Sequence, residues 1–302
     1  MKKPGMVLMM TLVLITVMMG IVAVVLTQNE RLSRVRDNAF NQSIILRIVN
    51  DLEQQLPSLL SAITGPEQLD LMVRLPLQLE SKKKDFILKG QLSSIYGRLN
   101  INRIISSDGK INEAYVALLM RIFAVHPIAD SDMLMKLILD TVDTDIIERG
   151  TDTEIALIQP DFKNGSIVDS LQFNSILERY VNLTRDTTVL SIPWEDYIGY
   201  DGEKMDFNAL NAETLSLILP NVSPEKIREL TLFRTKAYTT KEEVITAEPA
   251  LASVFDSYFF IYKAGDSYDV LCDVRVSENT HNEHIKFHYN LLDKKIRQVE
   301  FL

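Results

Sequence analysis

Six carboxylate side chains lie close together near the middle of the 302-residue chain: Asp140, Asp143, Asp145, Glu148, Asp152 and Glu154. Oxygen ligands at this density suit Ca²⁺, which takes about six to eight of them. The run is not an EF-hand, because the required spacing and the final glutamate are absent. It predicts either a calcium site, calcium being the only cofactor that the sequence suggests, or a solvated acidic loop with helix caps.

The histidines do not form a metal-binding pattern. His281, His284 and His288 fall in a stretch whose polar and apolar residues alternate as in a β-strand. On a strand, His284 and His288 would share a face about 13 Å apart, at about 3.3 Å per residue, which is too far for one ion. Cys272 is the only cysteine, which excludes an intrachain disulfide and a zinc site built on several cysteines of this chain.

The sequence carries no pattern of a known catalytic class. It contains no G-x-S-x-G, H-E-x-x-H, Walker A or G-x-G-x-x-G motif. Serine, histidine and aspartate occur as they do in any chain of this length, without a spacing that marks a site. We therefore predict that the protein is not an enzyme.

A helical hairpin raises the question of nucleic acid. Residues 208–219 and 224–234 predict two helices joined by Leu219-Pro220-Asn221-Val222-Ser223. DNA-binding helix-hairpin-helix motifs have glycines at this joint that expose backbone N–H groups to a phosphate, whereas here Pro220 removes a donor and glycine is absent. The net charge of −9 also disfavours phosphate binding, which depends on Lys and Arg. The hairpin favours a packing unit, and a membrane-anchored DNA receptor is one alternative function.

The elements that position these residues are helical in the middle of the chain and strand-like at its end. Apolar residues recur with helical spacing from 112 to about 247, with Ser131 and Ser223 as expected N-caps and Pro224 at a first helical position. The expected helices are 113–123, 131–142, 170–181, 208–219 and 224–234. The expected strands are 71–73, 85–88, 258–262, 268–276, 284–291 and 295–301, with a solvated turn at Lys82-Lys83-Lys84.

The N-terminus predicts a membrane anchor. Residues 6–26 are an uncharged apolar run of 21 residues, which as a helix spans roughly 30 Å, the thickness of the hydrocarbon core. A signal peptide has an apolar stretch of only about 7–15 residues and a small-residue cleavage site, and Thr27-Gln28-Asn29-Glu30 fits such a site poorly. Lys2 and Lys3 predict that this end stays cytoplasmic. The expected location is the bacterial inner membrane, single-pass, with the bulk of the chain in the periplasm.

Helical spacing continues beyond the apolar run, and no proline or glycine interrupts it between Gly20 and Pro57. One long helix over 6–57, half in lipid and half amphipathic outside it, resembles the architecture of type IV pilins and pseudopilins. In those proteins prepilin peptidase cuts after a glycine that follows basic residues. Lys2-Lys3-Pro4-Gly5 before Met6 looks like that site, so Gly5 and Met6 are the expected cleavage site.

Four blocks in order along the chain resemble the GspK family, the large minor pseudopilins of type II secretion systems. The first is the anchor, and the second, 97–102, reads G-R-L-N-I-N, similar to the family's G-R-[FL]-N-[LI]-N. The third, 140–145 with 150–154, is similar to D-W-I-D-x-D and the run after it, although Thr141 replaces the usual tryptophan. The fourth, 206–215, is similar to I-N-[VL]-N-T-A-x-x-x-L but lacks a threonine between Asn211 and Ala212.

The resemblance implies an α+β fold in which a pilin-like long N-terminal helix packs on an antiparallel sheet, with a large helical domain inserted in the sheet. The expected division of the chain is a leader at 1–5, the long helix at 6–57, the first part of the pilin-like domain at 58–99, the inserted helical domain at 100–248 and the C-terminal strands at 249–302. Some family members hold calcium in the helical domain, so the resemblance also makes the acidic run a candidate site.

The resemblance further implies a place at the filament tip. Ordinary pilins carry a glutamate at the fifth mature position that pairs with the N-terminal amine of a neighbouring subunit, and the GspK family lacks it. Cleavage after Gly5 would make Met10 the fifth mature residue. An unpaired charge in lipid costs several kcal/mol, so a subunit with Met10 could not neutralise a subunit above it.

The implied function is to cap the pseudopilus tip and to help initiate its assembly and the export of folded proteins across the outer membrane. The implied partners are minor pseudopilins of the I and J types, the major pseudopilin, prepilin peptidase, and the secretin or a secreted substrate, with no role for nucleic acid. Processing and N-terminal methylation are implied as well. A minor pilin of a type IV pilus system is the other alternative.

Overall fold

The structure is a computed structural model that describes residues 60–80, 86–278 and 281–301, together with positions 54 and 56–58. The chain divides into two compact units, 1–59 and 60–302. The sheet and the helical insert belong to the second unit. The expected turn at Lys82-Lys83-Lys84 lies outside the described residues.

Five antiparallel strands form a continuous sheet. Their bounds are β1 Pro76–Glu80, β2 Phe86–Ser94, β3 Asp269–Glu278, β4 His281–Asn290 and β5 Lys295–Phe301. The strands lie side by side in the order β1-β2-β3-β4-β5. Residues 95–268 therefore leave the sheet after β2 and return at its neighbour β3, so that a long segment is inserted between two hydrogen-bonded strands.

The sheet has one buried face, as the alternation in its sequence predicts. Leu92 lies opposite Cys272, which in turn lies opposite Phe287, and all three are almost completely buried. The alternating neighbours Asp273 and His284 are partly exposed on the other face. The predicted mixture of helices with an antiparallel sheet is thus confirmed, and 295–301 was predicted to the residue.

The inserted segment is mostly helical. Its main helices are α2 Glu113–Val125, α3 Ser131–Val142, α4 Ser170–Thr184, α5 Ala212–Ile218, α6 Pro224–Thr231 and α7 Lys241–Ala247, and a further helix, α1 Pro66–Arg74, precedes β1. Single helical turns occur at Ile155–Ile158, Trp194–Tyr197 and Phe255–Tyr258. The segment has its own apolar core, in which Phe173 and Phe123 pack edge-on against Trp194.

Polar side chains set where the helices of the insert begin. Asp130 accepts a hydrogen bond from the backbone N–H of Met133, so this aspartate is the N-cap of α3 rather than the expected Ser131. Asn211 caps α5 by accepting from the N–H of Thr214, which makes α5 shorter than the helix expected over 208–219. Ser223 caps α6 with Pro224 at its first position, as predicted.

Two expected strands are wrong. Residues 71–73 lie in α1, which begins after Gly65 with Pro66 at its first position and an acidic first turn, both of which favour a helix start. In place of a strand over 258–262, only Phe259–Phe260 is extended, and it pairs in parallel with Met205–Asp206 inside the insert. A short apolar run does not by itself distinguish a strand from a helix.

Candidate functional site

The residues expected to direct processing and tip position belong to the N-terminal part of the chain. Gly5, Met6 and Met10 lie outside the described residues, as does the expected span at 6–26. Among the helices that the structure does describe, none is both long enough and apolar enough to cross a bilayer. The leader, the anchor and the role of Met10 therefore stay predictions from the sequence.

Arg149 pairs with the first two carboxylates of the acidic run. Asp140, at the end of α3, is fully buried, and its Oδ1 accepts from the guanidinium of Arg149 at 2.7 Å. Its Oδ2 accepts from the backbone N–H of Arg149 at 3.0 Å and from the hydroxyl of Thr153 at 2.5 Å. The Arg149 guanidinium also pairs with Asp143. The loop from 143 to 153 is thus folded back onto the end of α3 by one buried carboxylate.

The remaining carboxylates of the run divide into exposed and buried groups. Asp145, Glu148 and Asp152 are exposed. Glu154 is fully buried, and its Oε1 accepts from the side-chain amide of Asn164 at 2.7 Å. Burial raises the pKa of Glu154, and the nearby Asp140 and Asp143 add to the increase, while the Asn164 amide opposes it.

Three oxygens around this loop lack a hydrogen-bond donor among the described residues: Asp143 Oδ1, Glu154 Oε2 and Asn164 Oδ1, all of them buried. Over the described ranges, no three His, Cys, Asp or Glu side chains converge well enough to hold one metal ion. The six carboxylates predicted from the sequence are therefore not brought together as a group. Calcium binding stays a prediction from the sequence.

The helical hairpin is packed into the core of the insert. Leu215 of α5 and Ile227 of α6 are both buried there. The carbonyl of Leu217, near the end of α5, accepts from the guanidinium of Arg121 at 2.6 Å. Lys226 pairs with Glu229 on the same helix at 3.1 Å. These contacts pack the hairpin against the rest of the insert, as expected of a packing unit.

The histidines of the sheet lie apart from one another. His284 Nε2 is 2.7 Å from Asp273 Oδ1 on the neighbouring strand β3. His288 lies opposite Gln298 of β5 in the register of the sheet. The side chain of His281 is outside the described residues. The absence of a shared metal site at the three histidines stays a prediction from the sequence.

The asparagines of the second sequence block hold distant loops together. Asn102 donates to the carbonyls of Ile167 and Tyr200, each at 2.9 Å, and accepts from the N–H of Ile167 at 2.7 Å. Asn100 donates to the carbonyl of Gly202 at 2.6 Å. One amide side chain that both donates and accepts satisfies backbone groups that the irregular loops leave unpaired.

The fourth block also joins distant loops through the side chain of an asparagine. Asn208 donates to the carbonyl of Tyr238 and accepts from its N–H, both at 2.8 Å. Gly97 of the second block packs so closely on the carbonyl of Ala209 that a Cβ at this position would collide with it. The second and fourth blocks that resemble the GspK family are therefore structural ties between loops of the insert.

A buried polar network joins the sheet to the insert, and no pattern in the sequence predicted it. Tyr268, fully buried just before β3, donates to Asp206 Oδ2 at 2.7 Å and lies 2.5 Å from the hydroxyl of Ser94 at the end of β2. Asp206 Oδ1 accepts from the N–H of Asn208 at 3.1 Å. Burial raises the pKa of Asp206 to about 6, although the Tyr268 hydrogen bond lowers it.

Comparison with known proteins finds a similar solved structure but no matching family model or curated sequence. The structure matches a chain in the crystal structure of the GspK-GspI-GspJ complex from the enterotoxigenic Escherichia coli type 2 secretion system, with a TM-score of 0.59 and 13% sequence identity. The match covers 89% of this chain and 99% of that chain. The protein therefore has a GspK-like fold, as the four sequence blocks predicted.

Proposed function

We propose that the protein is a minor pseudopilin of the K type that caps the tip of a type II secretion pseudopilus. The observation that supports this function is the GspK-like fold, which extends over 89% of the chain. The matched chain belongs to a complex with GspI and GspJ. Two further minor pseudopilins, of the I and J types, are therefore the partners we propose for this protein.

The proposed role is structural rather than catalytic. The apolar N-terminal helix would anchor the subunit in the inner membrane before assembly, with the rest of the chain in the periplasm, and would then enter the core of the filament. The insert between β2 and β3, residues 95–268, makes up most of the described chain. A side domain of this size would not fit between stacked subunits, so we place the protein at the filament end.

Two features of the N-terminus supply the proposed mechanism. Removal of residues 1–5 by prepilin peptidase would leave Met6 as the first residue, carrying the methyl group that accompanies processing, and Met10 as the fifth. Because Met10 has no charge, it cannot compensate the N-terminal amine of a subunit above it in lipid. A subunit of this kind starts a filament and helps to begin the export of folded proteins across the outer membrane.

We also propose that the insert binds calcium, at a smaller set of oxygens than the acidic run as a whole. Asp140 is already satisfied by Arg149 and Thr153. Asp143, Glu154 and Asn164 each keep a buried oxygen without a donor among the described residues. Carboxylate and amide oxygens are ligands that Ca²⁺ prefers, and its charge would compensate Glu154.

Thermal unfolding of the full chain in detergent tests the calcium site. Excess Ca²⁺ should raise the melting temperature relative to EGTA, because a ligand that binds only the folded state stabilises it. Glu154→Gln should remove the shift, and Glu148→Gln, at an exposed carboxylate, should keep it. Equal melting temperatures in Ca²⁺ and EGTA for the unaltered chain would contradict the site.

Co-purification tests the proposed function. The full chain, tagged at its C-terminus, would be produced with the I-type and J-type pseudopilins of the same bacterium and extracted in mild detergent. We expect a complex that contains all three chains, while the major pseudopilin produced at the same level should not replace either partner. Recovery of the chain without the I-type or J-type subunit would count against a role at the tip.

A further inference from the structure

A cleft of about 310 Å³ opens beside α1, between the end of β2 and the chain that follows α6. Its apolar walls include Leu69 and Val73 from one face of α1, and Leu232 just after α6. Leu232 is 57% exposed, so part of this apolar wall faces solvent. The volume is at the lower end of ligand-binding cavities, so the cleft has room for a residue-sized group.

The lining of the cleft contains fewer carboxylates than guanidinium groups. Asp70 of α1 lies between two arginines: its Oδ2 accepts from Arg74 at 3.0 Å, and its Oδ1 pairs with Arg234. The side chain of Arg234 is only 7% exposed. Its Nε has no acceptor among the described residues. One carboxylate thus serves two guanidinium groups, and one of these is buried.

The other charged residues of the lining do not correct this balance. Asp206 also lines the cleft, but its oxygens already accept from Tyr268 and Asn208. Arg98 adds a third guanidinium to the lining. With three arginines and two aspartates, the lining of the cleft carries one positive charge in excess.

We propose that this cleft is a binding site for a single carboxylate carried on a residue-sized apolar group, such as the chain end or an acidic side chain of another polypeptide. Arg74, whose side chain is 41% exposed, would donate to the carboxylate, and Arg234 would contribute its charge from behind. Leu69, Val73 and Leu232 would cover the apolar part. A charge-assisted hydrogen bond of an arginine to a carboxylate is among the stronger polar contacts in proteins.

The proposal is tested with small probes and the full chain in detergent micelles. Binding of N-acetyl-leucine, which represents a chain end, is measured by saturation-transfer NMR titration. N-acetyl-leucinamide is the neutral counterpart, and the α-amide of N-acetyl-glutamic acid represents an internal acidic side chain. Tighter binding of N-acetyl-leucine would indicate a chain end as the ligand, and tighter binding of the α-amide of N-acetyl-glutamic acid would indicate an acidic side chain.

The expected result is saturable binding of a carboxylate probe that the neutral amide does not share. Arg74→Gln should raise the dissociation constant about tenfold, the loss expected for one charge-assisted hydrogen bond. Arg275→Gln, which removes an exposed arginine of β3, is the matched control and should bind like the unaltered chain. Leu232→Glu, which places a tethered carboxylate at the edge of the cleft, should also weaken binding and serves if Arg74→Gln does not fold.

Equal binding of the acid and the amide would overturn the proposal, as would unchanged binding by both Arg74→Gln and Leu232→Glu, or the absence of saturable binding. The chemistry of the cleft does not depend on whether the protein caps a pseudopilus. Failure of the binding test would therefore not contradict the proposed function, and failure of the co-purification would not contradict the binding site in the cleft.

Discussion

Replacing Tyr268 with phenylalanine should destabilise the junction between the sheet and the insert. The change removes one hydroxyl and leaves the ring, which is fully buried, in place. Asp206 Oδ2 then loses the donor that lies 2.7 Å away, and Ser94 loses the partner at 2.5 Å but keeps the backbone N–H of Tyr96. A buried carboxylate oxygen without a donor is costly because no water replaces the lost hydrogen bond.

The expected loss in the free energy of unfolding is about 3 kcal/mol near pH 7.5, the upper range for a buried group left unpaired, because the acceptor is charged. For a unit of this size, about 2–4 °C in melting temperature corresponds to 1 kcal/mol. Tyr268→Phe should therefore lower the melting temperature by about 6–12 °C. Circular dichroism of the full chain in detergent measures this shift.

The chain offers a matched control. Tyr289 of β4 is also almost completely buried, but its hydroxyl has no hydrogen-bond partner among the described residues. Tyr289→Phe removes the same atom and should change the melting temperature by no more than about 2 °C, which is the change for about 0.5–1 kcal/mol. Equal shifts in the two variants would refute the view that the Asp206 network stabilises the junction.

Acidification should reduce the penalty of Tyr268→Phe. The pKa of Asp206 is raised by burial from 3.8 to about 6, so the folded state holds this proton more tightly than the unfolded state. The contribution of Asp206 to stability is therefore most favourable below about pH 4 and is lost as the pH rises through about 6. Loss of the Tyr268 hydroxyl costs less when Asp206 is neutral. The difference in the free energy of unfolding between Tyr268→Phe and the unaltered chain should therefore be smaller at pH 5 than at pH 7.5.

Three further changes probe Asp206, the acidic loop and the sheet. Asp206→Asn removes the ionisation and should flatten the dependence of stability on pH between 4 and 6, where linkage assigns Asp206 about 3 kcal/mol; an unchanged slope in urea titrations at stepped pH would contradict the raised pKa. Arg149→Met leaves buried Asp140 without its guanidinium donor and should lower the free energy of unfolding by about 2–3 kcal/mol, more than Arg179→Met, whose partner Asp152 is exposed. Gly90→Ala should lower the free energy of unfolding by about 1–3 kcal/mol, because its Cβ would collide with the backbone oxygen of Asp273. Gly65→Ala, where the nearest atom is the end of the Gln68 side chain, should lower it less. Equal urea midpoints of the two variants would show that the sheet adjusts at Gly90 without cost.

The elements that were predicted well are those with a long and regular pattern. Helix 131–142 and strand 295–301 agree with the structure to the residue. The two-residue period after 268 correctly placed Cys272 on the buried face of the sheet. Local periodicity is enough in these cases because each element buries one face along its whole length.

The contacts that were missed join residues far apart in the chain. Asp206 and Tyr268 are separated by 62 positions, and no periodic pattern connects them. Asp70 and Arg234 are 164 positions apart. The acidic run was recognised as a density of charge, but only the structure shows that Arg149 folds back onto Asp140 and so separates buried from exposed carboxylates.

The mass of the N-terminal peptide of the mature protein tests the proposed function most directly. The chain would be isolated from membranes of a cell with prepilin peptidase and from a matched strain without it, then digested and analysed by tandem mass spectrometry. We predict a mature chain that begins at Met6, bears one methyl group on its amine, and is absent from the strain without the peptidase and from a Gly5→Val variant. A chain that retains residues 1–5 in both strains, or that is cut elsewhere, would contradict the assignment as a pseudopilin.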